Sequence, residues 1–223
     1  MENVSGTIDA FFILITFVTV GLLYLASPKS KWLLIGVGIW MAIQAFLALS
    51  GFYQVQTIPP RFVLTALPPA LFIAALFLTS RGRAFIDSLD TAKLTILHTV
   101  RIVVELILYF LFLASAIPEI MTFEGRNLDI LAGLTAPLVY YYGFKNKVLP
   151  TSSLLLWNLI CVGLLLNIVV IAILSTPSPF QKFGLDQPNI AIISFPYVWL
   201  PSVVVPIVFF SHFATIRRLL SKK

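Results

Sequence analysis

Charge is what this chain has least of. Asp, Glu, Lys and Arg make up only 11% of its 223 residues, whereas soluble domains carry about a quarter. An ordinary soluble domain is thereby excluded. A single cysteine, Cys161, excludes an internal disulfide. Two histidines, His98 and His212, are too few for the multi-histidine zinc site of seven-helix membrane hydrolases. HExxH, P-loop, CxxC and GxSxG patterns are all missing, which removes the common hydrolase and nucleotidase chemistries. The last apolar run holds no lysine, so no Schiff base to retinal can form there. The first nine residues, MENVSGTID, carry acid and no basic residue. The first apolar run is therefore expected to remain a membrane helix rather than act as a cleaved signal. There is no internal repeat and no GxxxG dimer face.

What is present is hydrophobic. The chain is 59% apolar, with a mean hydropathy of +0.99. Seven runs approach the ~20 residues needed to cross a hydrocarbon core. They cover about 8–26, 32–52, 62–80, 91–120, 129–144, 153–174 and 189–216. The expected fold is an all-α membrane protein, a single bundle of seven transmembrane helices over residues 1–223. Basic residues alternate between the connections. With the N-terminus outside, the inner segments hold Lys29 and Lys31; Arg81, Arg83 and Lys93; Lys145 and Lys147; and Arg217, Arg218, Lys222 and Lys223. The outer segments hold Arg61, Arg126 and Lys182. This asymmetry predicts an outside N-terminus and a cytoplasmic C-terminus. It also assigns the net charge of +6 to contact with the lipid bilayer rather than nucleic acid.

The fourth run carries the chemistry. His98, Arg101 and Glu105 fall within a sector of roughly 60° on a helix, with Tyr109, Thr91, Phe112 and Glu119 on or near the same stripe. Ionisable groups on a spanning helix face protein or enclosed water rather than lipid. In the predicted topology His212, near the end of the seventh run, lies at a similar depth to His98. Two facing imidazoles are a common way to hold a haem iron or a transition metal. The expected site is therefore a polar cavity in the cytoplasmic half, formed by His98, Arg101, Glu105, Tyr109 and His212. Its metal ligands would be His98, His212 and Glu105, and Arg101 would serve a haem propionate or another small anion. Three plainer readings stand beside it. Arg101 and Glu105, four residues apart, can neutralise each other. The stripe can serve as a transport or proton path. The protein can be an accessory subunit of a membrane complex.

Glu119, Glu124 and Asp129 cluster around the fourth connection. They could hold a hard cation or simply be solvated. Gln44, Asn158 and Asn167 are read as inter-helix hydrogen-bonding groups. Pro196, Pro201 and Pro206 are expected to kink the last span and open a cavity beside the fourth.

The run LLLWNLICVGLLLNIVVIAILSTPSPFQKFGLDQPNIAIISFPYVWLPSVVVPIVFFSH resembles an uncharacterised family of small bacterial multi-pass integral membrane proteins, and FEGRNLDILAGLTAPL is similar too. The resemblance implies a bacterial inner (cytoplasmic) membrane location. It implies no activity.

Overall fold

In the computed structural model, residues 4–28 and 31–221 are described. Glu2, Lys29, Lys222 and Lys223 of the charge pattern lie outside them. The described residues form helices and no strand. The order is α1 (Gly6–Ala26), α2 (Lys31–Leu49), α3 (Val63–Leu78), α4 (Ser80–Asp87), α5 (Thr91–Leu97), α6 (Val100–Leu113), α7 (Ile130–Val139), α8 (Thr151–Ser175) and α9 (Val205–Leu220). A π-helical turn, Tyr140–Lys145, extends α7, and another, Leu200–Val204, leads into α9. Five segments are long and apolar enough to span a membrane: Gly6–Ala26, Lys31–Leu49, Thr91–Leu113, Thr151–Ser175 and Leu200–Leu220. Large apolar side chains such as Phe11, Phe46, Leu71 and Leu78 stand on the exterior. A lipid-facing surface has that character.

The expected boundaries shift in four places, each for a local reason. The third run is helical to Leu78 and then turns through 91° into α4. The Thr79 side chain accepts from the Gly82 backbone N–H and so caps the new helix. The fourth run stops at Leu113 rather than Ile120: Ser115 takes a positive φ of 60°, and Ala116 closes the turn onto Leu111. The fifth begins at Ile130, a few residues into the bundle. The seventh begins at Leu200 and runs to Leu220, not from Asn189 to Ile216. Pro196 precedes the helix and Pro201 sits in its first turn, where a missing N–H costs little. Pro206 lies six residues into the span, directly after the π turn Leu200–Val204.

Cross-bonds fix which helix ends lie together. The Asp90 N–H donates to Ala26 O at 2.9 Å, and the Arg217 guanidinium bonds the Asp87 carboxylate. One end of the bundle therefore holds the end of α1, α4, the start of α5 and the end of α9. At the opposite end the Tyr197 hydroxyl donates to Asp9 (2.7 Å), Asn167 donates to Arg126 O (2.9 Å) and the Ile190 N–H donates to Ala116 O (3.0 Å).

The span formed by α5 and α6 is broken at His98–Thr99, with no proline nearby. The backbone there tightens: the N–H groups of His98, Thr99, Arg101 and Ile102 each bond three residues back. Such 3-10 stretches inside helices commonly mark hinges or functional sites. The second irregular feature is the chain from Ala114 to Asp129. It caps the Leu113 end and then folds back into the bundle, so that Asn127 and Asp129 are buried beside the middle of α6. Non-helical backbone at such depth is tolerated only where protein satisfies its polar groups. Here Met121 O accepts from Asn127, and the Arg126 and Asn127 N–H groups bond back onto Ile120 and Thr122.

Candidate functional site: a buried polar network

The inward stripe of the fourth run is present. His98, Arg101 and Glu105 are each at most 2% exposed. Arg101 makes a two-pronged pair with Asp129: Nε donates to Oδ2 at 2.6 Å, and Nη2 bonds Oδ1. No ion pair joins Arg101 to Glu105 among the described residues. Glu105 instead accepts from Asn127 Nδ2 at 2.6 Å. Asn127 turns its own Oδ1 to the Asp129 backbone N–H at 3.0 Å. The back-folded chain thus delivers one partner to each charged group of α6. Gly133 lets α7 approach closely enough for this. A Cβ there would meet the Ile102 side chain at 2.8 Å and its backbone nitrogen at 2.9 Å.

Arg101 continues the network towards α9. Its Nη1 lies 3.1 Å from His212 Nε2, and His212 Nδ1 lies 2.8 Å from Asn158 Oδ1. A guanidinium only donates, so Nε2 must accept. Asn158 spends its Nδ2 on Leu154 O at 2.8 Å, which leaves Oδ1 to accept from Nδ1–H. The neighbours therefore fix His212 as the neutral tautomer protonated at Nδ1. A second proton on this ring would face a guanidinium N–H and break the link to Arg101.

The two histidines do meet, as their depths predict, but face to face. Their ring centroids are 3.7 Å apart with planes 12° from parallel. Trp157 packs against both, at 5.7 and 5.6 Å, and anchors its Nε1 on Thr135 Oγ1 at 2.9 Å. Neither ring nitrogen of His98 has a hydrogen-bond partner among the described residues. A buried polar group in that state costs about 1–3 kcal/mol.

The expected metal set is not assembled in this geometry. Stacked imidazoles direct their ring nitrogens within parallel planes, not at one another, and leave no gap for an iron or a haem edge. Glu105 is turned to Asn127. Among the described residues no group of three or more His, Cys, Asp or Glu is placed to hold a metal ion. Tyr109 does not join the network either. It is half-buried and stacks on Phe123 at 5.0 Å. Glu119 and Glu124 are exposed, whereas Asp129, grouped with them by sequence, is 4% exposed. The polar residues of the network bond one another. Two sizeable grooves open elsewhere, both bordered by α3 and α9.

Sequence reasoning placed Asn158 among hydrogen-bonding groups and missed Asn127, Asp129 and Trp157 as site residues. One signal was available: the fifth run is short for a membrane crossing, and Asn127 and Asp129 stand at its head.

No curated protein and no solved structure matches the chain. A family model described as a domain of unknown function, DUF8737, matches residues 58–220, a stretch that includes every residue of the network and both segments of the resemblance; the chain belongs to that family.

Proposed function

We propose that the protein is a bacterial inner-membrane carrier that exchanges protons through this buried network, with Glu105 as the exchanging group. The observation that carries the reading is the charge balance inside the bundle. Two carboxylates, Glu105 and Asp129, are buried with one guanidinium, and Asp129 occupies it. Glu105 has only an amide donor. A carboxylate held in an apolar bundle without a cation is costly. A proton on Glu105 removes that cost, and releasing it restores the charge. The hydrogen-bonded series Glu105, Asn127, Asp129, Arg101, His212 and Asn158 joins three helices, α6, α8 and α9, through the back-folded connection. The 3-10 break at His98 and the mid-bundle start of α7 are the kind of discontinuity on which alternating-access carriers build their sites.

The accompanying topology has seven crossings. Five are the long segments. The sixth is α3, with α4 lying along the interface, and the seventh is α7 with its π turn, completed by the back-folded chain. The Thr91 end, rich in Lys and Arg, faces the cytoplasm, so the N-terminus is outside.

The test uses purified protein in lipid vesicles loaded with a pH-sensitive dye, under an imposed membrane potential. Infrared spectroscopy of the carboxylic acid band accompanies it. Glu105→Gln should abolish that band and reduce proton movement at least tenfold. An unaltered band together with unaltered proton movement would refute the assignment.

The two unpartnered nitrogens of His98 favour a second reading, a binding or sensing site for a small ligand such as a transition metal or an anion. Elemental analysis of the protein before and after His98→Ala would test the metal version. Equal metal content in both would remove it.

A further inference from the structure

α2 stands apart from α3, and a cavity of about 610 Å³ lies between them, closed behind by α1 and α9. Its walls include Trp32, Gly36, Trp40, Phe72, Phe85 and Pro206, and almost every exposed atom in it is apolar. Trp40 closes the inner end, where its Nε1 donates to Ser202 O at 2.9 Å. Trp32 stands at the mouth, 79% exposed. The eight residues between them rise about 12 Å, close to the ~15 Å depth of one leaflet. Gly36 lies on this wall, and a Cβ there would meet nothing within 4 Å. The space in front of it is not filled by the protein.

The mouth is basic. α4 carries Arg81 and Arg83 on either side of Gly82, one turn before Phe85 and Asp87. Arg217 and Arg218, at the end of α9, are tied to α4, and Arg217 borders the second groove. Asp87 accepts both prongs of Arg217, at 3.1 and 2.9 Å, and its backbone carbonyl accepts from Arg218. Arg83 is tied to Phe77 O and Leu78 O at the end of α3. Arg83, Arg217 and Arg218 are thus engaged with Asp87 or with backbone carbonyls, which leaves Arg81, one turn before the groove-lining Phe85, and Lys31, exposed next to Trp32, as the cations at the mouth. Arg218 Nε is buried without a partner.

We infer that this groove holds one acyl chain of an anionic phospholipid from the leaflet at the Thr91 end, with the phosphate headgroup between Lys31 of α2 and Arg81 of α4. The apolar cleft sets the chain's place, and the surplus of positive charge at its mouth selects the headgroup. The inference rests on the membrane placement proposed above and not on proton exchange, so either can fail alone.

The experiment measures spin-labelled phosphatidylglycerol and phosphatidylcholine bound to the full chain in nanodiscs. The unaltered protein should immobilise phosphatidylglycerol preferentially. Replacing Lys31 and Arg81 by Gln should reduce that preference by about fivefold for each charge removed. Gly36→Phe should fill the cleft and reduce immobilised phosphatidylglycerol at least tenfold. Gly163→Phe, placed on the exposed face of α8 where a Cβ also meets nothing, should leave it unchanged. Equal retention of the two lipids would overturn the headgroup assignment. Undiminished binding in Gly36→Phe, or an equal loss in Gly163→Phe, would overturn the groove.

Discussion

Replacing Asp129 by Asn tests the centre of the network most directly. The side chain keeps its size and one acceptor but loses its charge. Arg101 is 2% exposed and has no other carboxylate within ion-pair distance among the described residues. The variant therefore leaves a guanidinium buried without a counter-charge, and breaking a buried pair in this way typically costs about 3–5 kcal/mol. Native stabilities are about 5–15 kcal/mol, so the loss is a large share of the total. The double replacement Arg101→Leu with Asp129→Leu removes both charges. It strands only His212 Nε2, which then lacks a donor, at about 1–3 kcal/mol. The double variant should thus be more stable than Asp129→Asn. Reversible unfolding in bicelles, followed by steric trapping and by emission of Trp157 beside the two histidines, supplies the numbers. The reasoning fails if Asp129→Asn costs under about 1 kcal/mol, or if the double variant is no better than the single one.

Two further outcomes follow from the same contacts. Gly133→Val should push α7 off α6, because the added carbons meet Ile102 side chain and backbone. An overpacking cost of about 1–3 kcal/mol is expected by the same unfolding assay, and Gly163→Val should show none. Tyr53, between α2 and α3, donates its hydroxyl to Gln44 at 2.7 Å, and burial raises its phenol above the ordinary 10.0 despite that bond. The folded state then holds this proton more tightly than the unfolded chain does. Its contribution is intact below pH 10.0 and is lost as pH rises through the folded value. An ultraviolet absorbance titration against Tyr53→Phe should show a tyrosine that ionises late. A Tyr53 that ionises at or below the ordinary 10.0 would contradict this.

Several of these contacts were legible in the residues. Helical periodicity turned His98, Arg101 and Glu105 to one side, and equal distances from the same bundle end brought His98 level with His212. Local rules could not choose the counter-ion. Glu105 is one turn from Arg101 and is the obvious partner by spacing, yet the pair forms with Asp129, 28 residues away. That choice depends on the path of an irregular connection, which has no periodicity to read. The orientation of the imidazoles was equally hidden. Depth follows from counting residues along a helix, but stacking rather than opposition depends on the 3-10 break and on Trp157, and neither leaves a mark in the pattern. Prolines misled for a related reason. Three of them in an apolar run look like a bent span, whereas Pro196 and Pro201 stand before and at the helix start, where they are tolerated, and Pro206 follows a π turn.

The back-folded connection also has a consequence for how the protein is made. The fourth apolar stretch leaves the ribosome with Arg101 and Glu105 and without the partners that each takes in the folded bundle. Asn127 emerges 22 residues after Glu105, Asp129 emerges 28 residues after Arg101, and His212 only after 111. Stable insertion of that stretch therefore waits for the following hairpin, so the two should enter the bilayer as one unit. A nascent chain halted before Asp129 would leave its most charged helix without an anchor.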